Sequence, residues 1–479
     1  MGLSRRFLNL IVDNRIPGAK SLHCIDLRRH KLFNTTIPVL QLKGKNRSES
    51  ELLPQDATPW ADDHKNKIAG TTSPVPSQSI NLRAMGFSME TCVLKPRETP
   101  ESESCASDAN DRKNYNQAAA SVITRKIRTI QLPQPIMKFR CSMDECDWYL
   151  DCLPLAGHKV LCIDPSARTV LFDVGMFQLE TIPCFNVPKR SLLPCWIPLP
   201  STSSADAAAD GNGSFYIFES SPYQEELNGA RQQLSNQFVA FVYHRESKSW
   251  QRQLLPPPPF VDDPKHYEHY RHPDITSYAV VERGGSHVIF LSVDGAGGPA
   301  TYCLDTVTHT WSYVGDWVLP FKVKVEYVPE LKLWFGICTE GRQLGAADLS
   351  TMDSQPQIVG TWKELEAPGH WRWREAKPPQ LVNLGSGRFC ITRFFRALLN
   401  SRSSVNPMAF CVSGYDAVED FTVLTGIDVV PCVHDAHGTS SDTFSGGNVS
   451  KGKVELQMIK HNSRRHMSDG SDGNIEVVF

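Results

Sequence analysis

From about residue 127 onward, short apolar runs alternate with turn-forming clusters, and almost no stretch keeps the spacing of an amphipathic helix. A strand buries one face at every second residue, so this pattern predicts an all-β domain. The runs that qualify are 159–163, 169–172, 214–218, 238–243, 277–281, 287–292 and 300–304, followed by 323–327, 333–338, 357–365, 388–395, 408–413 and 421–424.

These runs share a loose repeated form. An apolar strand ends in Asp or another polar residue, a short polar turn follows, and a large apolar residue opens the next strand about six positions later. It reads as Tyr302-Cys303-Leu304-Asp305 then Trp311, as Phe241-Val242-Tyr243-His244 then Trp250, as Leu171-Phe172-Asp173 then Leu179, and as Cys24-Ile25-Asp26 then Phe33. At Ala347-Asp348 the aromatic, Trp362, comes late and implies an expanded turn. Hairpins of this kind suit the outer strands of a propeller blade, whose sheet faces must be buried by neighbouring blades. The expected fold is therefore an all-β, kelch-like β-propeller of five or six blades with a long disordered insertion.

The insertion is read from composition. Between residues 43 and 125 Ser, Asp, Glu, Lys, Asn and Pro dominate, leaving too little apolar surface to offset the entropy of ordering. The chain divides into an N-terminal hairpin at 1–42, the insertion at 43–125, the propeller at 126–460 and a polar C-terminal tail at 461–479, in which 475–479 could return as a strand. The hairpin either closes the ring by pairing 21–40 with a C-terminal strand at 454–459, or stands free.

Charge and cysteines narrow the function classes. Fifty Lys and Arg against 52 Asp and Glu leave a net charge of -2, with no global field to hold a nucleic acid. No apolar run approaches the length of a membrane span. The apolar start at Phe7 to Val12 is broken by Asn9 and ended by Asp13, which argues against a signal peptide, and Arg6 stands where a myristoylation motif needs Ser or Thr. The 14 cysteines are scattered and read as reduced, and the sequons at Asn34, Asn46, Asn212 and Asn448 as unused. The setting expected is cytoplasmic or nuclear.

The strings MGLSRRFLNLIVDNRIPGAKSLHCIDL (1–27) and KVLCIDPSARTVLFD (159–173) resemble a large uncharacterised plant family, expanded in grasses and described as kelch-like or F-box-associated-like. The resemblance covers residues 1–40 and about 125–460. It implies a propeller-like fold and a role in protein recognition. Only the unit with Gly284-Gly285, Tyr302 and Trp311 approaches a kelch blade, and residues 1–40 lack the helix with a Leu-Pro start that an F-box requires.

No G-x-S-x-G elbow, P-loop or H-E-x-x-H occurs. Cys141, Cys146, Cys152 and Cys162 lack the paired short gaps of a zinc site. His266, His269 and His272 lie between prolines in what reads as a loop, and Cys432, His434 and His437 precede a polar one. No catalytic residue, cofactor or metal is assigned. Trp371, Arg372, Trp373 and Arg374 alternate aromatic and basic side chains of the types enriched at interface hot spots, against the simpler reading of a blade strand with solvated arginines. The leading function is a non-enzymatic module presenting propeller loops to a partner protein. The alternatives are an enzyme or small-ligand binder using the central channel, and a structural or degenerate family member with no specific ligand.

Overall fold

A computed structural model describes residues 5–34, 87–91, 127–141, 150–155, 158–187, 191–198, 213–227, 230–231, 234–244, 246–270, 272–365, 373–399, 417–432, 455–468 and 473–479. Almost all of them belong to β-sheets whose strand pairs are antiparallel with two exceptions, and the eight-stranded one among them divides into two four-stranded halves. Sheet I runs in the order β28 (Asn474–Val478), β1 (Phe7–Asp13), β2 (Ala19–Asp26), β5 (Met137–Cys141), β3 (Phe87–Thr91). Sheet II is a meander of β6 (Asp151–Pro154), β7 (Lys159–Ile163), β8 (Thr169–Asp173) and β9 (Gln178–Thr181). Sheet III joins β10 (Leu192–Pro198), β11 (Gly213–Glu219), β14 (Ser235–His244) and β15 (Ser249–Leu255), with β12 (Glu226–Leu227) and β13 (Ala230–Arg231) as a small ribbon between its middle strands. A helical turn at Pro259–Asp262 and a 3-10 helix at Pro264–Tyr270 lead to sheet IV.

Sheet IV contains β16 (Asp274–Arg283), β17 (Ser286–Asp294), β18 (Ala300–Asp305) and β19 (Trp311–Gly315), and sheet V contains β20 (Phe321–Val328), β21 (Leu333–Cys338), β22 (Leu344–Ala347) and β23 (Ile358–Trp362). Sheet VI is built from β24 (Trp373–Gly385), β25 (Arg388–Leu399), β26 (Ala417–Cys432) and β27 (Glu455–Met467), with β4 (Arg128–Thr129) on its outer edge. First strands of neighbouring sheets lie side by side. β16 and β20 pair in parallel at Ser277–Val323 and Tyr278–Lys324, and β20 touches β24, which touches β28.

The repeated form seen in the sequence has a common geometry. In the β18–β19 hairpin the Asp305 carboxylate accepts the N–H groups of Val307 and Thr308 at 2.8 and 3.0 Å, and His309 takes a left-handed φ of 54°. Asp173 does the same for Gly175 and Met176, with Phe177 at φ 53°, and Asp26 for Arg28 and Arg29, with Lys31 at φ 48°. A carboxylate that caps its own turn explains why Asp recurs at the strand end. The aromatic after the turn then reaches the sheet before it. Trp311 packs on Phe218 and Phe238 of sheet III, and the Trp250 indole N–H donates to Glu180 of sheet II at 2.7 Å.

Between the sheets lie six apolar clusters, and their order is circular. Ile11, Phe139 and Phe172 join I to II; Leu161, Phe215 and Phe241 join II to III; Phe238, Tyr278 and Leu291 join III to IV. Phe290, Phe321 and Trp334 join IV to V, Phe335, Phe389 and Ile427 join V to VI, and Leu10, Leu384 and Leu424 join VI back to I. Each fully buried side chain of this size contributes roughly 1.5–3 kcal/mol. The architecture is a β-propeller, in which each sheet covers both faces with its neighbours.

Three expectations need correction. The C-terminal partner of the N-terminal hairpin is β28, through Leu10 opposite Val478, and not 454–459, whose described part forms the start of β27 beside β26. Both segments alternate apolar and polar residues, and burial decides between them: Ile475 and Val478 are 2% and 5% exposed, whereas Glu455 to Lys460 lie at an outer edge. Residues 461–479 are consequently not a simple polar tail, since 461–467 lengthen β27 and 474–478 are β28. Within the expected insertion, Phe87–Thr91 forms β3 against β5, and the remainder, like the candidate strand 408–413, lies outside the described residues.

Candidate functional site

Several charged groups on strands of neighbouring sheets are neutralised by one another. Lys324 and Glu326 of β20 pair at 2.8 Å. Burial works against the Lys324 ammonium, but Glu326 and the Cys195 thiol of β10 outweigh it and raise its pKa. Burial pushes the Cys195 thiol itself up to about 12. Around the ring Lys20 pairs with Glu476 of β28 at 2.6 Å, and burial raises the pKa of the neighbouring Asp151 on β6. Arg5 donates its backbone N–H to Leu384 O, and burial lowers its pKa against the pull of Glu326.

A cavity of about 530 Å³ lies against one face of sheet I. Strand register builds its floor. Val12 on β1 stands opposite Ser21 on β2, which stands opposite Lys138 on β5, so the three share one sheet face. His23 falls on the same face two residues further on. The Ser21 hydroxyl lies 2.8 Å from His23 Nε2 and 2.8 Å from Asn14 Oδ1, and His23 Nδ1 lies 2.7 Å from Pro133 O. A carbonyl can only accept, so the proton of Nδ1 points at Pro133 and Nε2 turns to Ser21. Among the described residues the lining includes Lys20, Lys138 and Arg140 and no carboxylate. The apolar part comes from Val12, Ile16 and Leu132.

The residues singled out by sequence are dispersed. Trp371 and Arg372 lie outside the described residues; Trp373 opens β24, and the exposed Arg374 stands opposite Arg396, which is held by Asp420 at 2.9 Å. Cys152 and Cys162 are buried cross-strand neighbours with sulfurs 3.7 Å apart, while Cys146 lies outside the described residues. His266 is fully buried and His272 is exposed, so these two do not converge. The side chain of His269, like His434 and His437, is outside the described set. Among the described residues no group of His, Cys, Asp and Glu could hold a metal ion, and no helix is long and apolar enough to cross a membrane. Sequence reasoning missed the Ser21–His23 pair, because two residues of one strand become a site only through register with Val12 and Lys138.

These features define an all-β protein of propeller architecture with a polar cavity against sheet I and paired charges on its strands. The chain belongs to the family described as "Protein of unknown function (DUF1668)", whose profile spans residues 5–466. No curated protein matches it. Among solved structures it is similar to an auxiliary nutrient binding protein from Bacteroides thetaiotaomicron, at 10% identity and a TM-score of 0.27, over 58% of this chain and 54% of that one. The chain thus aligns to about half the length of that protein. It is also similar to the β-propeller domain of Myceliophteria thermophila Cps50 (Swd1), at 8% identity, TM-score 0.28, over 62% and 83% of the two chains. A putative 6-phosphogluconolactonase from Bacteroides uniformis matches at 13% identity and TM-score 0.27, over 68% and 91%. The sheet order and the circular clusters carry the fold, independently of these likenesses.

Proposed function

We propose that the protein is a six-bladed propeller acting as a non-enzymatic recognition module in the cytoplasm or nucleus, presenting one side of the ring to a partner protein. The observation that carries this reading is the shape of sheet VI. Its strands β24 to β27 are 13, 12, 16 and 13 residues long, whereas those of sheet II are four or five. At about 3.3 Å per residue, β26 spans roughly 50 Å, far more than a blade wall needs. The surplus has its own small core of Phe395, Ala397, Phe421 and Val423, with Phe395 and Phe421 stacked at 5.2 Å. A projection that folds on itself and displays Arg374 and Arg396 is a surface built to be met. Proximity labelling with the full chain, compared with an Arg372→Glu/Arg374→Glu variant, tests it. Partners lost in the variant support the reading, and an unchanged partner set removes this site.

The cavity favours a second reading, a small-ligand binder. Convergent polar groups over an apolar wall are the usual make-up of such sites. Ligand-observed NMR with a fragment library would detect it. Hits that persist unchanged when Ser21→Leu fills the cavity would count against it.

A further inference from the structure

A strongly basic surface forms where sheet I meets the outer strand of sheet VI. The turn after β2 carries Arg28, Arg29, His30 and Lys31; β27 carries Lys460, Arg464 and Arg465; β4 carries Arg128. Of these Arg28, Arg29, Lys31, Arg128 and Lys460 are exposed. Arg464 and Arg128 share one face of sheet VI with the turn, whereas Lys460 and Arg465 fall on the other face of the edge strand. The Arg464 guanidinium donates to His30 O at 3.0 Å and to Lys31 O at 2.8 Å, and Arg464 stands in register with Arg128. Asn462 ties the same turn to β27, donating from its backbone to Leu32 O and from its side chain to Lys31 O.

Among the described residues the carboxylates beside this surface, Asp26 and Asp428, are already engaged. Asp26 is held by Arg6 at 2.6 Å and by the backbone of Arg28 and Arg29, and Asp428 lies 3.1 Å from Arg388 and 3.2 Å from His461. The cations therefore act on each other. Burial and then Arg128 lower the pKa of Arg464; burial, Arg29 and Arg464 lower that of His30 against the opposite pull of Asp26.

We propose that this surface docks an acidic protein segment, a run of Asp and Glu side chains. The proposal rests on the recognition reading above and names the chemistry of the partner. With a net charge of only -2 over the chain, the positive potential is local and suits a short anionic stretch better than a long polyanion. Among the described residues Phe33 offers no platform for base stacking, being 8% exposed and covered by His461 and Arg388. Guanidinium forks instead match carboxylates bidentately.

The test is fluorescence anisotropy of the full chain with a labelled ten-residue Glu peptide. Saturable binding is expected, weakening by about tenfold or more as salt rises from about 50 to about 200 mM. It should fall at least about tenfold in Arg28→Gln/Arg29→Gln and in Arg128→Gln. Lys248→Gln, in the exposed turn between β14 and β15 of sheet III, should leave it unchanged. Absence of binding, equal binding by the folded variants, or tighter binding of a ten-residue oligouridine or of phosphoinositide vesicles overturns the proposal. The two readings separate cleanly. Partners whose capture survives the Arg28/Arg29 change sink the acidic-segment surface alone; peptide binding with no cellular partner sinks the recognition module alone.

Discussion

Sheets IV and I show how differently equivalent parts of one ring are specified. All four strands of sheet IV lie within residues 274–315, and each turn carries its own signal: Gly284 and Gly285 at φ 57° and 82°, Gly298 at φ 85°, and the Asp305 cap. Sheet I draws its strands from three distant parts of the chain, 7–26, 137–141 and 474–478, with β3 added at the edge. Its key contact, Leu10 opposite Val478, spans nearly the whole sequence. Local hairpins need little loop closure, whereas this pairing forms only after the rest of the ring has brought its ends together. Sheet IV is thus specified by its own residues, and sheet I by the closure of everything between.

The largest way to break this comparison is to remove β28. Truncation after Gly473 strips Ile475, Val478 and Phe479 from the cores that join sheet I to VI and to II, each at most 6% exposed. At roughly 1.5–3 kcal/mol per side chain the loss is about 5–9 kcal/mol, comparable with the whole stability of an ordinary domain. Urea denaturation followed by circular dichroism should show a protein that is unfolded or nearly so. A midpoint close to that of the intact chain would mean that sheet I stands without closure.

A middle-sized effect is expected from the turn caps. Asp305→Ala frees two backbone N–H groups in a hairpin whose strands are otherwise intact, and should cost about 1–2 kcal/mol. Asp26→Ala frees the equivalent pair and releases Arg6, on a hairpin that also anchors the ring closure and the basic turn. Its melting temperature should fall further than that of Asp305→Ala. Equal shifts would show that the closure sheet gains nothing special from its turn.

The same contrast explains what could be read in advance. The Asp305-to-Trp311 hairpin was legible because the cap, the left-handed residue and the packing aromatic lie within seven positions. A propeller, expected with five or six blades, follows once such hairpins are stacked. The partner of β1 was not legible, because residues 454–459 and 475–478 offer similar alternation, and only burial against Leu8, Leu10 and Val12 separates them. The length of β26 was equally hidden, since Gly426 reads as a break, yet Leu32 O and the Phe33 ring leave no room for a side chain there. Of the binding features, the Arg28–Lys31 run is visible as charge, but its meeting with Arg464 and Arg128 depends on two sheets. Ser21 and His23 become a pair in a cavity only when Pro133 and Lys138 are brought to them.

The smallest expected effect separates the two regions by pH. His266 sits beside sheet IV, fully buried against Phe260, with neither ring nitrogen hydrogen-bonded, and burial lowers its pKa. Lys265 adds to that lowering and Asp263 opposes it. A folded pKa below the unfolded value of about 6.5 means that the unfolded chain binds the proton more readily. Stability is then fully present above about pH 6.5 and is lost as pH falls toward the folded value. His309, hydrogen-bonded to the Tyr216 hydroxyl beside the same sheet, is shifted in the same direction by burial, with Asp305 opposing. In sheet I, His30 is also lowered by burial but is only half-buried at the rim, and both nitrogens of His23 have partners. Hydrogen-exchange protection, corrected for the intrinsic pH dependence of amide exchange, should therefore fall more in β16–β19 than in β1–β2 between pH 7.5 and pH 5.5. His266→Leu should shrink that difference and raise the melting temperature at pH 5.5 more than at pH 7.5, because it removes a buried group that can only charge at a cost. If the variant keeps the full pH dependence, His266 is not its source; if protection at pH 5.5 falls more in β1–β2 than in β16–β19, the contrast between the two regions reverses.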